Sequence, residues 1–327
     1  MKPTLKILIT LIVLLVSCTP SIQTGPAGNL TPSSPSTTPV ATTSNTPTPT
    51  PIPLINSIAE LIKLNDVLSL EEIVTEVAEL DQGAILYKIT YISDGYTVVG
   101  YIAAPKDYLE QQTPYPVMIL NRGGNADYGA LNTQVPPSIA ISLKAIVFAS
   151  QYRETHEGTG KDEFGGDDVH DVIKLLDFAD SCSFADSDHI VMWGASRGSM
   201  MTFEVIRMDE RVRAAIVTGS VPDLVAVYNF RGRSMQSILK YRVGGTPEQV
   251  PDEYERRSAI QWAQEINVPI LVFHAADDLR SPIGPVDKFV SLLETLGKDV
   301  TYIRKEVGGH GYSEFDLIEA FFATHTN

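Results

Sequence analysis

Ser196 has the sequence context that most clearly indicates nucleophilic chemistry. It lies in the segment Gly-Ala-Ser-Arg-Gly at 194–198, directly after the apolar run 190–193 and directly before a helical pattern at 199–208. A strand, a sharp turn and a helix in this order are typical of the G-x-S-x-G nucleophile elbow. In that turn the glycines avoid steric collisions and the serine hydroxyl is exposed. The pattern predicts that Ser196 attacks a carbonyl carbon.

A serine hydroxyl needs a base that takes its proton and an acid that orients the base. His310 is flanked by glycines and follows the last predicted strand, so a flexible loop could bring its imidazole over Ser196. Asp277 and Asp278 follow the apolar run 269–273, at the carboxyl end of a predicted parallel strand, where the sites of such sheets form. The spacing alone does not separate the two aspartates.

The elements that must position these residues are short apolar runs alternating with longer amphipathic segments. Apolar runs occur at 117–120, 145–149, 190–193, 214–217, 270–274 and 300–303, and helical patterns at 169–178, 199–208, 286–296 and 315–323. Apolar strands that alternate with helices indicate a mostly parallel central sheet covered by helices on both faces. A strand pair is predicted at 86–92 and 96–103, with a turn between, and helical spacing at 54–62 and 73–80.

Several of these segments together resemble the catalytic domain of the prolyl oligopeptidase family of serine peptidases. They are 121–125, 151–153, 158–166, 194–198, 274–282 and 308–311, and the likeness extends from about Ile85 to the C-terminus. The resemblance implies an α/β-hydrolase fold and a serine peptidase. It also selects the acid, because the family pattern H-G-x-x-D-x-x-V-P matches Asp278, four residues after His274 and four before Pro282.

The resemblance further implies an oxyanion hole formed by the backbone N–H of Arg197 and one from the Gly123-Gly124 turn, namely that of Gly124. A helix N-terminus and a glycine turn both present such donors without competing side chains. Arg122 and Asp127 are expected to brace this turn. Members of the family normally carry an N-terminal β-propeller, and the short stretch between residue 54 and the first strands leaves no room for one.

The leading prediction is hydrolysis of peptide bonds through an acyl-enzyme, and the alternative is a carboxylesterase with the same three residues. A surface lipoprotein that keeps the fold as a non-catalytic binding module is a further alternative. A metal-dependent hydrolase using His274, Asp277 and Asp278 is disfavoured because these residues lack the spacing of a zinc helix. No cofactor or metal is predicted, and the expected partner is a small peptide or ester substrate.

The N-terminal residues predict export and a lipid anchor. Two lysines precede the apolar run 7–16, which ends in Leu-Val-Ser-Cys, a sequence that resembles a bacterial lipobox with Cys18 as the lipidated residue. The expected organisation is a signal peptide at 1–17, a disordered Thr/Pro/Ser-rich linker at 18–53 and a catalytic domain at 54–327. The protein is therefore expected outside the cytoplasm, anchored by lipid to the bacterial cell membrane or cell surface.

The charge of the chain argues against a nucleic-acid partner. The sequence has 25 Lys and Arg against 40 Asp and Glu, a formal net charge of −15. Proteins that bind phosphate backbones do so mainly through clustered Lys and Arg. Contact with a membrane is expected through the lipid anchor only.

Overall fold

The computed structural model describes residues 54–326. The signal peptide, the lipidation site Cys18 and the linker predicted above lie outside these residues. Within the described part, no helix combines the length and the apolar character that a membrane crossing requires.

A nine-stranded sheet forms the centre of the described part of the chain. Its strands are β1 (Val67–Glu72), β2 (Ala84–Ser93), β3 (Tyr96–Pro105), β4 (Tyr115–Asn121), β5 (Ile146–Ser150), β6 (Ala185–Ala195), β7 (Val212–Thr218), β8 (Ile270–Ala275) and β9 (Val300–Lys305). The spatial order is β1-β2-β3-β5-β4-β6-β7-β8-β9. Strands β1 to β3 pair antiparallel with one another and β3 pairs antiparallel with β5, whereas β5, β4 and β6 to β9 run parallel.

Helices surround this sheet, as the alternating pattern predicts. They are α1 (Ala78–Gly83), α2 (Val135–Leu143), α3 (His170–Ser181), α4 (Arg197–Met208), α5 (Leu224–Phe230), α6 (Arg233–Val243), α7 (Pro251–Arg256), α8 (Ile283–Thr295) and α9 (Phe315–His325). The predicted α/β-hydrolase architecture is confirmed. Helices α5 to α7 lie between β7 and β8, in a segment whose fold the sequence did not indicate.

The parallel strands are apolar because both of their faces are covered. Every residue of β5 and of β8 is buried, and the side chains of β4, β6 and β7 contribute to the same core. The hairpin between β2 and β3 turns at Asp94 and Gly95, both of which have positive φ, as a tight two-residue turn requires. The predicted strand pair is therefore correct.

The N-terminal part of the domain differs from its prediction. Strand β1 occupies a stretch that the helical spacing did not identify, and only its first residue is buried, so it shows no alternating pattern. A 3₁₀ helix, Ile58–Lys63, replaces the α-helix expected at 54–62, and the second predicted helix is reduced to the single turn α1. Edge elements of this kind bury few side chains, and their sequence signal is correspondingly weak.

Candidate active site

Ser196 occupies the sharp turn between β6 and α4 that the sequence predicts. Its backbone angles are φ 55° and ψ −121°, and its N–H donates to the carbonyl of Thr218 on β7 at 2.8 Å. A non-glycine residue in this conformation costs about 1–3 kcal/mol, so the surrounding structure must hold it there. In this turn Ser196 is only half-buried.

The two glycines of the elbow are required by close backbone packing. A Cβ atom at Gly194 would lie 2.2 Å from the carbonyl oxygen of Gly198, and a Cβ atom at Gly198 would lie 2.0 Å from the carbonyl oxygen of Asn121. Neither contact can be relieved by moving a flexible side chain. The start of α4 therefore packs directly on the end of β4, and this contact fixes the direction in which the serine points.

Asp278, and not Asp277, contacts the predicted base. The Asp278 Oδ2 atom lies 2.8 Å from Nδ1 of His310. Asp277 instead accepts hydrogen bonds from the backbone N–H groups of Gly308 and Gly309 at 2.9 and 2.7 Å. The two neighbouring aspartates thus differ in their partners: Asp278 contacts the imidazole, and Asp277 binds the loop that carries it.

The environment of Asp278 keeps its carboxyl ionised. The residue is 3% exposed, and its Oδ1 atom accepts the backbone N–H groups of Arg280 and Ser281 at 2.7 and 3.0 Å. Burial raises the pKa of this carboxyl, but the hydrogen bonds from His310 and from the two N–H groups outweigh burial and hold the pKa below its usual value. A buried, ionised carboxylate is suited to fixing the tautomer of a catalytic histidine.

The imidazole of His310 packs against Gly219. Gly219 follows Thr218, whose backbone carbonyl accepts a hydrogen bond from the N–H of Ser196. A Cβ atom at Gly219 would lie 3.1 Å from both Nδ1 and Cε1 of His310. The hydrogen bonds found among the described residues include the one between Asp278 and His310 but none from Ser196 to His310. Such bonds are often long in unliganded enzymes and tighten when substrate binds.

The predicted oxyanion hole has its two elements side by side. A Cβ atom at Gly123 would lie 3.1 Å from Cβ of Ser196, so the glycine turn packs against the elbow. Gly124 has φ +75°, and a Cβ atom there would lie 1.9 Å from the carbonyl oxygen of Tyr128. Arg197 is the first residue of α4, where backbone N–H groups have no partner within the helix. The glycine turn and the first residue of α4 therefore both lie next to Ser196, and the N–H groups of Gly124 and Arg197 remain the predicted donors.

Arg122 braces the glycine turn from below, but without Asp127. Its buried guanidinium donates to the backbone carbonyls of Gln151, Ala126 and Gly123 at 2.5 to 2.9 Å, and it lies over the ring of Tyr152. Burial, together with the charge of Arg197, lowers the pKa of Arg122 to about 10. The expected pair with Asp127 is wrong, because that exposed carboxylate accepts the N–H of His156 instead.

The side chain of Arg197 is a structural feature that the sequence analysis did not identify. It is 1% exposed and forms ion pairs with Asp162, at 2.7 Å, and with Asp168. Burial lowers the pKa of this guanidinium, but the two carboxylates outweigh burial and hold the pKa above its usual value. The charged network anchors the first residue of α4, whose N–H is the predicted oxyanion donor, to the loop that precedes α3.

His274 is buried beside the loop that carries Asp278. It is fully buried, its Nε2 lies 3.1 Å from the carbonyl oxygen of Ser281, and burial holds its pKa below the usual value. No group of three or more His, Cys, Asp or Glu side chains in residues 54–326 is arranged to hold a metal ion. Its position beside Asp278 instead supports the acid loop.

The fold and the site define a serine hydrolase of the α/β-hydrolase class. The model of the prolyl oligopeptidase family matches residues 149–326, which is more than half of the chain. The chain belongs to the prolyl oligopeptidase family.

Similar proteins agree with this assignment. The uncharacterized peptidase YtmA of Bacillus subtilis is 29% identical over 219 residues, which cover 66% of this chain and 82% of YtmA. The uncharacterized peptidase YuxL of the same organism is 24% identical over 67% of this chain and 34% of its own length.

Solved structures with the same fold include an acylaminoacyl peptidase of Pyrococcus horikoshii and acetyl xylan esterase 1 of a Thermoanaerobacterium species. The peptidase superimposes with a TM-score of 0.63 and 20% identity, over 74% of this chain and 42% of its own. The esterase superimposes with a TM-score of 0.60 and 14% identity, over 85% of this chain and 96% of its own. The chain thus spans less than half of the peptidase and nearly all of the esterase.

Proposed function

We propose that this serine hydrolase cleaves peptide bonds through an acyl-enzyme intermediate. Ser196 Oγ attacks the scissile carbonyl carbon while Nε2 of His310 takes the hydroxyl proton. The protonated imidazole then passes this proton to the leaving amine, and a water molecule, deprotonated by the same imidazole, hydrolyses the acyl-enzyme. Asp278 orients His310 and stabilises its positive charge throughout.

The negative charge that develops on the carbonyl oxygen is bound by the backbone N–H groups of Gly124 and Arg197. Donors that are already in position need no reorganisation when the charge forms, and each is typically worth about 3 kcal/mol of transition-state stabilisation. The ion pairs of Arg197 and the carbonyl contacts of Arg122 support this role because they hold both donors in place.

The observation that carries the proposal is the 2.8 Å contact between Asp278 and His310, on a ring that packs against Gly219. Gly219 is the residue next to the one that accepts the N–H of Ser196. The pair formed by the acid and the imidazole, together with the strained serine, supports acyl transfer by these residues.

The proposal is tested by incubating the protein with short blocked peptides and with acyl esters. We expect the wild type to release amine from the peptides, and Ser196→Ala to release none above the spontaneous rate. Ser291→Ala, an exposed serine on α8, is the matched control and should retain full activity. Turnover of esters alone would reject the peptidase assignment.

A carboxylesterase with the same residues is the second candidate. The observation that favours it is the superposition on acetyl xylan esterase 1 over 96% of that protein, which shows that a hydrolase unit of this extent also carries ester chemistry. The same incubation separates the two candidates, because an esterase would give ester turnover with no detectable amine.

We also infer that the enzyme acts outside the cytoplasm on a lipid anchor at Cys18. The support is the apolar run that ends in Leu-Val-Ser-Cys and the Thr/Pro/Ser-rich stretch that follows it. In a bacterial host grown with an alkyne-labelled fatty acid, the wild-type protein should take up label and Cys18→Ser should not. Equal labelling of both proteins would contradict the anchor.

A further inference from the structure

Asp162 links the two segments that carry the predicted oxyanion donors. It lies in the segment between β5 and α3 and is fully buried. One of its oxygens, Oδ2, accepts hydrogen bonds from the backbone N–H of Ala126 at 2.8 Å and from Nη1 of Arg197 at 2.7 Å. Ala126 follows Gly124 by two residues, and Arg197 begins α4. A single carboxylate oxygen therefore bridges the glycine turn and the nucleophile elbow.

A further contact closes this bridge into a ring of hydrogen bonds. Nη1 of Arg197 also donates to the carbonyl oxygen of Gly124 at 3.4 Å. The ring thus runs from Arg197 to Asp162, from Asp162 to Ala126, and along the backbone from Ala126 to Gly124. Because its members share partners, removal of the carboxylate loosens both donor segments at once.

The backbone of Ala126 is strained, which indicates that the glycine turn depends on its contacts. Ala126 has φ +43°, a conformation that costs a residue with a Cβ atom about 1–3 kcal/mol. Its N–H is held by Asp162 and its carbonyl oxygen by Arg122, each at 2.8 Å. Strain of this kind persists only where neighbouring groups fix the backbone, and Asp162 supplies the contact to the N–H.

The carboxylate of Asp162 is itself fixed in position and ionised. Its other oxygen, Oδ1, accepts the N–H of Phe164 at 2.9 Å, and its backbone N–H donates to Oε2 of Glu154 at 2.7 Å. Its backbone carbonyl accepts a hydrogen bond from Nη1 of Arg242, on α6, at 2.9 Å. Burial raises the pKa of Asp162, but the charges of Arg197 and Arg242 outweigh burial and hold the pKa below its usual value.

Asp168 contacts the same arginine but makes a different set of backbone contacts. Its Oδ2 atom faces Nη2 of Arg197, and its Oδ1 atom accepts the N–H groups of Gly165 and Gly166 at 3.1 and 2.7 Å. Both carboxylates are fully buried. Asp168 thus ties Arg197 to the loop before α3, whereas Asp162 also ties it to the glycine turn. A comparison of the two separates the anchoring of Arg197 from the link between the donor segments.

We propose that Asp162 is a positioning residue that sets the spacing of the two oxyanion donors. Its Oδ2 atom holds the turn of Gly124 through Ala126 and the first residue of α4 through Arg197. The inference rests on the proposed function and adds to it the residue that aligns the two N–H groups. Asp162 acts through these donors and not by contact with the substrate.

The test compares a short acyl ester with the thionoester that has sulfur in place of the carbonyl oxygen. Donors spaced for an oxyanion stabilise charge on sulfur less well, because sulfur is larger and a weaker hydrogen-bond acceptor. We expect the wild-type kcat/KM to be at least about 100-fold higher for the ester, the order of one donor's contribution. Asp162→Ala should lower this ester-to-thionoester ratio by at least about tenfold, because a displacement of about 1 Å can cost about 100-fold in rate.

Two further variants separate positioning from a general loss of stability. Asp162→Asn keeps an amide oxygen that can accept from Ala126 and Arg197, so its ratio should lie between those of the wild type and Asp162→Ala. If Asp162→Ala does not fold, Asp162→Asn decides, with an expected fall of at least about threefold. Asp168→Ala removes an equally buried carboxylate and should also destabilise the protein, but its ratio should stay within about threefold of the wild-type value.

An exposed aspartate and the pH profile provide the controls. Asp127 lies next to Ala126 on the same loop and accepts the N–H of His156, a bond that an amide oxygen can also make. Asp127→Asn should therefore leave both rates unchanged. The pH at which kcat/KM is half-maximal should be the same in every variant, because neither Asp278 nor His310 is altered.

An unchanged ratio in Asp162→Ala, or an equal fall in Asp168→Ala, would overturn this inference while leaving the proposed function intact. A wild type that does not distinguish the ester from the thionoester would overturn the predicted oxyanion hole and the inference with it. Failure to hydrolyse either substrate, together with failure of Ser196 to react with a phosphonate, would instead reject the proposed function and with it the inference.

Discussion

Replacing Asp278 by Asn tests the acid of the site with almost no change in shape. The Oδ1 atom of Asp278 accepts two backbone N–H groups, at 2.7 and 3.0 Å, and the Oδ2 atom faces Nδ1 of His310 at 2.8 Å. In Asp278→Asn the amide oxygen must stay on the backbone donors, so the amide NH₂ group faces His310. The imidazole then carries its proton on Nε2, which is the tautomer that cannot accept the serine proton.

The expected loss follows from this enforced tautomer. The equivalent change in a well-studied serine peptidase lowers kcat by about 10⁴-fold while leaving the geometry intact, and we expect a loss of the same order here. This corresponds to about 5.5 kcal/mol of transition-state stabilisation. Asp277→Asn is the matched control, because an amide oxygen at that position can still accept the N–H groups of Gly308 and Gly309. The kcat of Asp277→Asn should fall by less than about tenfold.

The assay is kcat for the best ester or peptide substrate, measured on both variants after circular dichroism has shown that they are folded. A loss below about 100-fold in Asp278→Asn, or an equal loss in both variants, would refute the assignment of roles to the two aspartates.

Four further changes test the packing and the charges around the site. Gly198→Ala should lower the free energy of unfolding, measured in urea, by more than about 2 kcal/mol, because its Cβ atom would overlap the backbone. The control Gly284→Ala, at an open position in a helix, should raise the free energy of unfolding by up to about 1 kcal/mol. Equal effects of the two changes would contradict the packing. Arg197→Met should cost about 3–5 kcal/mol, because it leaves Asp168 buried without an ion-pair partner and Asp162 with Arg242 alone, at 3.6 Å. A neutral effect would contradict the ion pairs. Burial raises the pKa of Glu204 well above its usual value, so the unfolded chain binds fewer protons than the folded one, and the free energy of unfolding falls as pH rises above about 4.5. Glu204→Gln should therefore stabilise the protein more at pH 8 than at pH 5. A stabilisation that does not depend on pH would refute this prediction. Burial also raises the pKa of Cys182 to about 12, so iodoacetamide at pH 8 should modify Cys182 in urea but not in the native protein, as peptide mapping would show.

The elbow and the parallel sheet could be predicted because their signals are local. Ser196 follows a buried strand and opens a helix, and the glycines at 194 and 198 mark the tight packing there. The choice between Asp277 and Asp278 is different, since both follow the same strand. Only the resemblance to a family separated them, and the hydrogen-bond partners found in the structure agree with that choice.

Features that depend on contacts between distant segments could not be predicted. The carboxylates that pair with Arg197 lie 35 and 29 residues before it in the sequence, and no periodicity links them. Arg231 reaches Arg280 across 49 residues, from a helical segment whose position the sequence did not indicate. Edge strand β1 was missed because one of its faces is open to solvent and its apolar residues do not alternate.

The central claim is that Ser196 is the nucleophile. Its most direct test is the intact mass of the protein after reaction with a fluorophosphonate, followed by peptide mapping of the adduct. We expect one phosphonyl group per chain, attached to Ser196, with no adduct in Ser196→Ala and a much slower reaction in His310→Ala. A folded protein that stays unmodified, or that is modified at another serine, would contradict the assignment.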